Sequence, residues 1–272
     1  MTIDLDAYFH RIGYAGARAP TLDTLQAING LHPQAIAFEN LDPLMKRPVS
    51  LDAESLERKL VRDGRGGYCY EHNLLFSHVL KALGFRVREL AGRVIWNLSE
   101  HAMTPRTHIV LQVELNGQPY IVDVGFGVAT LTAPLRLETD TEQPTPHEPC
   151  RLIKVSDGFI LKVKIGGNWV ALYRFDLQEQ FLSDYEVSNW YMSTHPSSRF
   201  IIDLMVARAD IGCRHTLRNK ILTVHYLSGI TERRTVDSAA DLRALLQGVF
   251  RLTLPDTQEL DTVLNRVIRQ SV

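Results

Sequence analysis

The sequence predicts a multi-domain α+β protein: a helical bundle, then a central antiparallel sheet or small β-barrel, then an α/β unit. Three observations carry this expectation. At 272 residues the chain exceeds the roughly 100 to 200 typical of one domain. The apolar pattern changes near residue 84 from helical spacing to strand-like alternation. Hairpin-type dipeptides then recur, at Asn116-Gly117, Asp157-Gly158 and Gly166-Gly167.

Segments 4–12, 22–31, 51–62 and 69–83 carry apolar residues at helical spacing. Thr21 and Asp52 stand where N-caps belong, and Gly84 stops the fourth helix. These helices make up an expected bundle over 1–84. From 85 to about 175, short β-rich runs alternate with the three turn signals, giving an expected β-barrel domain over 85–188. Beyond it, 216–226 and 231–236 read as strands and 239–250 and 257–269 as helices, an α/β unit over 189–272.

Composition narrows the function classes. Hydrophobic residues at 45% and charged residues at 22% describe an ordinary globular chain rather than a disordered or fibrous one. Thirty Lys and Arg against 31 Asp and Glu give a net charge of −1. That balance argues against nucleic acid or an anionic membrane as partner, and it leaves room for a local basic patch on a phosphate-bearing ligand. Residues 1–9 show no basic region followed by an apolar core, and no apolar run approaches the ~18 residues of a membrane span, so a cytoplasmic protein is expected. The three cysteines, Cys69, Cys150 and Cys213, are odd in number and widely spaced, which fits a reducing compartment and a possible single reactive thiol. No His-Glu-x-x-His or Cys-x-x-Cys spacing occurs, so no metal is expected.

The most informative stretch is Arg65-Gly66-Gly67-Tyr68-Cys69-Tyr70-Glu71-His72-Asn73. Two glycines allow a sharp turn or close approach, and they place Cys69 in the first turn of a helix. Helix-start amides and the positive end of the macrodipole favour negative charge on sulfur, so Cys69 reads as a nucleophile. The competing reading is a buried small hydrophobe, which is also how Cys150 and Cys213 read.

A thiol nucleophile needs a base, and the base an orienting group. A two-residue loop at Asn116-Gly117 pairs Leu115 with Gln118, Val113 with Tyr120, Leu111 with Val122 and Ile109 with Val124, one almost wholly apolar face. On the other face Val110 opposes Asp123 and His108 opposes Gly125. His108 and Asp123 are then diagonal neighbours, with Cβ atoms about 7 Å apart, within reach of a hydrogen bond. Each residue alone reads as an ordinary sheet histidine or strand-end charge; together with Cys69 they compose a Cys-His-Asp triad. His72, three residues beyond Cys69, is a rival base without an evident orienting partner.

With those residues assembled, the chain resembles the arylamine N-acetyltransferase family, in its bacterial type. Arg65-Gly66-Gly67-Tyr68-Cys69 resembles the family's Arg-Gly-Gly-x-Cys signature, Pro105-Arg106-Thr107-His108 its histidine segment, and Asp123-Val124-Gly125-Phe126-Gly127 its aspartate segment. Phe38-Glu39-Asn40-Leu41 resembles a further motif, and the long insertion of the vertebrate enzymes is lacking. The resemblance implies a helical bundle, a β-barrel and an α/β lid with a cysteine-proteinase-like triad. It implies that Cys69 is acetylated, that His108 is its proton partner, and that Asp123 orients His108. It further implies a structural ion pair of Glu39 with Arg65, and a pocket lined by Phe38, Gly125, Phe126 and Gly127. Acetyl-CoA would be the co-substrate, with arylamines or hydrazines as acceptors, in xenobiotic metabolism and without a metal. O-acetylation of N-hydroxyarylamines would be within the same site's reach. A cysteine hydrolase or transglutaminase-like enzyme using the same triad is the alternative, and the sequence leaves monomer and dimer both open.

Overall fold

The computed structural model describes residues 3–270; Met1 and Thr2, at the head of the expected bundle, and Ser271 and Val272, at the end of the expected α/β unit, lie outside them. Three N-terminal helices start on side-chain caps. Asp4 accepts from the Ala7 amide at 3.0 Å ahead of α1 (Leu5–Ile12), and Thr21 from Thr24 at 3.3 Å ahead of α2 (Leu22–Ala35). Strand β1 (Phe38–Glu39) and the short α3 (Leu41–Leu44) follow. Asp52 then caps α4 (Ala53–Glu57), which runs on as a π-helical turn over Arg58–Arg62. Helix α5 (Cys69–Ala82) is buried from Cys69 through Ser77 and lies at the centre of the largest apolar core, with α1 and α2 on one side and a sheet on the other.

That sheet has seven antiparallel strands: β2 (Arg86–Val94), β3 (Arg106–Leu115), β4 (Gln118–Val122), β5 (Leu135–Arg136), β6 (Cys150–Val155), β7 (Gly158–Ile165) and β8 (Asn168–Glu179). Their spatial order is β5-β4-β3-β2-β8-β7-β6. The chain beyond β5 folds back on β6, where Gln143 and Cys150 exchange backbone hydrogen bonds of 2.8 and 2.9 Å, so the sheet nearly closes into a barrel. The turn between β3 and β4 has positive φ at Asn116 (52°) and Gly117 (77°), the geometry that matches the twist of a tight hairpin. It sets Leu115 opposite Gln118, Val113 opposite Tyr120 and Leu111 opposite Val122. Ile109, Leu111, Val113 and Tyr120 on one face pack on α5, whereas Val110 and Ile121 on the other enter the barrel interior with Leu152, Leu161 and Tyr173.

After the barrel come α6 (Leu182–Thr194), α7 (Arg199–Ile202), strands β9 (Met205–Asp210), β10 (Cys213–Arg218), β11 (Ile221–Tyr226) and β12 (Thr231–Thr235), then α8 (Ala239–Gly248) and α9 (Gln258–Arg269). The second sheet runs β1-β9-β10-β11-β12, and Leu246, Phe250, Leu260 and Leu264 of the last helical stretch share a core with its Val206, Leu217 and Leu222. The single strand expected over 216–226 is instead a hairpin, because Asn219 adopts φ of 52° and turns the chain between β10 and β11. Helix α6 crosses residue 188, and β1 joins the second sheet from far upstream by pairing Phe38 with Ala207 and Glu39 with Val206.

Candidate active site

Cys69 opens α5, 5% exposed, after a segment in which Gly67 forms a parallel bridge with Phe38 rather than a turn. A Cβ on Gly66 would lie 2.0 Å from the Ala37 carbonyl oxygen, so only glycine lets the chain entering β1 press on this segment. Glu39 donates its amide to the Gly67 carbonyl at 2.7 Å. The same segment also rests on a buried ladder of charges. Arg65 holds Glu39 at 2.7 Å and Asp42 at 3.2 Å, and Lys59 holds Asp42 at 2.5 Å and Glu71 at 2.6 Å. Glu71 accepts the Tyr68 amide at 2.9 Å, closing the N-terminus of α5 immediately before the thiol. Burial raises Glu71 to about 7, opposed by the attraction of Lys59.

His108 enters from β3 and Asp123 from the residue after β4. Imidazole Nε2 lies 2.7 Å from Asp123 Oδ2, with His108 2% exposed and Asp123 fully buried. Burial opposes the charged imidazole, yet the Asp123 carboxylate, with a smaller contribution from Cys69, raises His108 to about 10. Burial pushes the Asp123 carboxyl up, and the charge and hydrogen bond of His108, then Asn73 and the Gly125 amide, carry it below its ordinary value. The Cys69 thiol lies 3.6 Å from the Thr107 carbonyl, one residue before His108. With Nε2 committed to Asp123, Nδ1 is the ring nitrogen left for the sulfur.

The strand pairing expected beyond Leu111 and Val122 is not made. Asn73 stands between Ile109 and Val124 instead: its Oδ1 accepts the Val124 amide at 2.9 Å, and its Nδ2 donates to the Ile109 carbonyl at 3.0 Å. The same Nδ2 donates to Asp123 Oδ1 at 2.8 Å.

Of the four residues expected to line a pocket, Gly125 and Phe126 touch this cluster, and Gly127 and Phe38 touch each other. Gly125 abuts the thiol's helix, where a Cβ would lie 3.0 Å from both Cys69 Cα and the Cys69 carbonyl oxygen. Phe126 stands edge-on to His108, ring centroids 5.4 Å apart at 88°. Gly127, at φ +81°, lets the Phe38 ring approach to 3.3 Å from where a Cβ would be. Two aromatic residues without a sequence signal join them. Tyr173 of β8 packs on His108 with centroids 4.8 Å apart, and Phe200 of α7 lies 6.0 Å from Phe38.

His72, the rival base, points elsewhere. Its Nδ1 meets His32 Nε2 at 2.9 Å, its Nε2 meets the Ala37 carbonyl at 3.2 Å, and burial lowers it to about 4. Cys150 and Cys213 are buried and free like Cys69; burial pushes the Cys150 thiol up to about 12 and raises that of Cys213. Among the described residues no group of His, Cys, Asp or Glu could hold a metal ion, and no helix is long and apolar enough to cross a membrane.

A family model described as N-acetyltransferase matches residues 21–259 of the chain. An arylamine N-acetyltransferase of Mycobacterium tuberculosis is 44% identical over 98% of this chain and 95% of its own length. An arylamine N-acetyltransferase / N-hydroxyarylamine O-acetyltransferase of Salmonella typhimurium is 40% identical over 95% of this chain and 92% of its own. The structure of Mycobacterium marinum arylamine N-acetyltransferase in complex with CoA superposes with a TM-score of 0.93 at 45% identity, covering 97% of this chain and 99% of that one.

Proposed function

The chain belongs to the arylamine N-acetyltransferase family, and from that premise we propose that it moves acetyl groups from acetyl-CoA to arylamines and arylhydrazines through an acetyl-Cys69 intermediate. The observation that carries the mechanism is the buried His108 to Asp123 hydrogen bond beside a thiol at a helix start. A histidine raised to about 10 keeps its proton at neutral pH and can face a thiolate as imidazolium. In the first half-reaction Cys69 sulfur bonds to the acetyl carbon, the carbon–sulfur bond to CoA breaks, and His108 gives its proton to the departing thiolate. First-turn amides of α5, which lack partners within the helix, are the donors we assign to the oxyanion. Acetylation removes the sulfur charge that helped hold the proton on His108, so the imidazole becomes a better base. It then takes a proton from the attacking amine as the nitrogen–carbon bond forms and Cys69 leaves as thiolate. The same acyl-enzyme serves O-acetylation of N-hydroxyarylamines, because only the attacking atom changes.

Phe38 and Phe126 supply flat apolar walls suited to an aryl ring; Gly127 admits the Phe38 ring and Gly125 abuts the Cys69 backbone. Glu39 and Arg65 support the segment ahead of Cys69. The chain divides into three units, 1–84, 85–188 and 189–272, with α6 spanning the second boundary and β1 of the first unit pairing into the sheet of the third, and three unpaired cysteines favour a reducing, cytoplasmic compartment. Intact mass after exposure to acetyl-CoA tests the mechanism. One acetyl adduct on Cys69, discharged by an arylamine and absent from Cys69→Ser, is expected. Acetyl transfer that persists in Cys69→Ser overturns it.

A further inference from the structure

Asn73 is fully buried, one helical turn beyond Cys69 on the same face of α5. In the hairpin register, hydrogen-bonded and non-bonded pairs alternate outward from Leu115 and Gln118, which makes Ile109 and Val124 a hydrogen-bonded position. There the two backbones do not bond each other; the Asn73 amide is inserted between them, accepting from one strand and donating to the other. A primary amide suits this place because it offers a donor and an acceptor on one short planar group. Aspartate lacks the donor, and glutamine is a methylene longer.

The insertion has a direct effect one residue away. The Asp123 carboxylate can turn about its Cβ–Cγ bond, and Oδ2 meets His108 only in one setting. Asn73 Nδ2 at 2.8 Å and the Gly125 amide at 2.9 Å hold Oδ1 in that setting. We propose that Asn73 is the positioning residue of this site, a side-chain wedge in the β3–β4 ladder that aims Asp123 at His108 and fixes both relative to Cys69 on its own helix. This deepens the triad reading above and rests on it. One helix thereby carries the nucleophile and the clamp on the orienting pair, so α5 cannot shift without moving all three groups together.

The test is Asn73→Ala in the full chain, read by the rate of CoA release before any amine is added and by the pH profile of Cys69 alkylation with iodoacetamide. A misplacement near 1 Å costs about 100-fold, so a 10- to 100-fold slower acetylation is expected, with KM for acetyl-CoA within about threefold. The alkaline limb of the alkylation profile, set by His108 near 10 in the parent, is expected at least about one pH unit lower. A purely structural role would lower Tm and leave that limb in place. An unchanged rate and limb overturn the proposal. Should the variant not fold, the parent decides: with asparagine labelled by 15N, the Asn73 side-chain amide must shift in step with the His108 titration, and an amide that does not move overturns the proposal equally. If the parent itself shows no fast-reacting Cys69, the triad reading falls rather than the role of Asn73.

Discussion

Replacing Asp123 by asparagine keeps the side-chain shape and removes the charge that holds the proton on His108. The rise of His108 from 6.5 to about 10 corresponds to about 5 kcal/mol of preference for the imidazolium. Since burial opposes that form, Asp123 and the smaller contribution of Cys69 together exceed the net figure. Without Asp123 the imidazolium loses its largest support against burial and keeps only that of Cys69, so His108 is expected to lose its proton at a lower pH. The new amide also donates to Nε2, which puts the ring proton on Nδ1, the nitrogen that has to receive it from the amine. A comparable substitution in a Ser-His-Asp triad lowers kcat about 10⁴-fold. A thiol ionises more readily than a hydroxyl, so a loss of about 10² to 10⁴ is expected here. Stopped-flow CoA release before addition of amine measures it, with iodoacetamide alkylation as the probe of the thiolate. Stability responds to pH with a definite sign. His108 is raised in the folded state, so its contribution is complete below 6.5 and is lost as pH rises through about 10. Asp123 is lowered, so its contribution is present above 3.8 and is lost as pH falls through the lowered value. Urea unfolding of the parent should weaken on the alkaline side and that of Asp123→Asn should not. Acetylation within about threefold of the parent, with the same alkaline slope, would refute the orienting role.

Three further substitutions separate chemistry from support. His72→Gln keeps an acceptor for His32 and a donor for the Ala37 carbonyl, so acetylation within about threefold of the parent is expected; a collapse of the rate would restore His72 as the base. Gly125→Ala drives a methyl against the Cys69 backbone at 3.0 Å and Asn73 Nδ2 at 2.9 Å. A fall in kcat/KM of about 10- to 100-fold, the cost of a small misplacement, is expected in steady-state assays. Arg65→Met leaves Glu39 and Asp42 buried beside Lys59 alone, which costs about 3 to 5 kcal/mol and is read as a lower urea midpoint, with Arg65→Lys recovering part of it.

The parts of the site that were legible in the sequence depend on local rules. Asn116-Gly117 dictates a two-residue turn, the turn dictates register, and register puts His108 and Asp123 on one face without any tertiary information. Cys69 is readable because two glycines and a helix start adjoin it. Asn73 lies in the same stretch, at helical spacing from Cys69, but a wedge between two strands is a tertiary fact that spacing cannot announce. Tyr173 reaches His108 over Gly92 of the intervening strand β2 and leaves no local trace. Helix α6 escaped for a different reason: its buried stripe is Tyr185, Asn189 and Ser193, and its large apolar residues Val187 and Trp190 face outward. Asn189 bonds the Tyr68 hydroxyl and, at 2.9 Å, the Val49 carbonyl, so polar partners rather than apolar periodicity hold the helix. The turn at Asn219 is followed by lysine instead of glycine, and the hairpin of β10 and β11 therefore reads as one strand.

Strand β1 is two residues long, yet it borders the second sheet through β9 while the amide of Glu39 is fastened to Gly67, two residues before the thiol. Severing the chain ahead of β9 and expressing the halves apart would leave β9 with a row of bare amides and carbonyls, an adhesive margin for any strand it meets. Mixed together, the two pieces carry complementary margins, and their reunion would be felt at Cys69. The alkylation rate of one sulfur thus becomes a gauge of whether a sheet far away in sequence has docked.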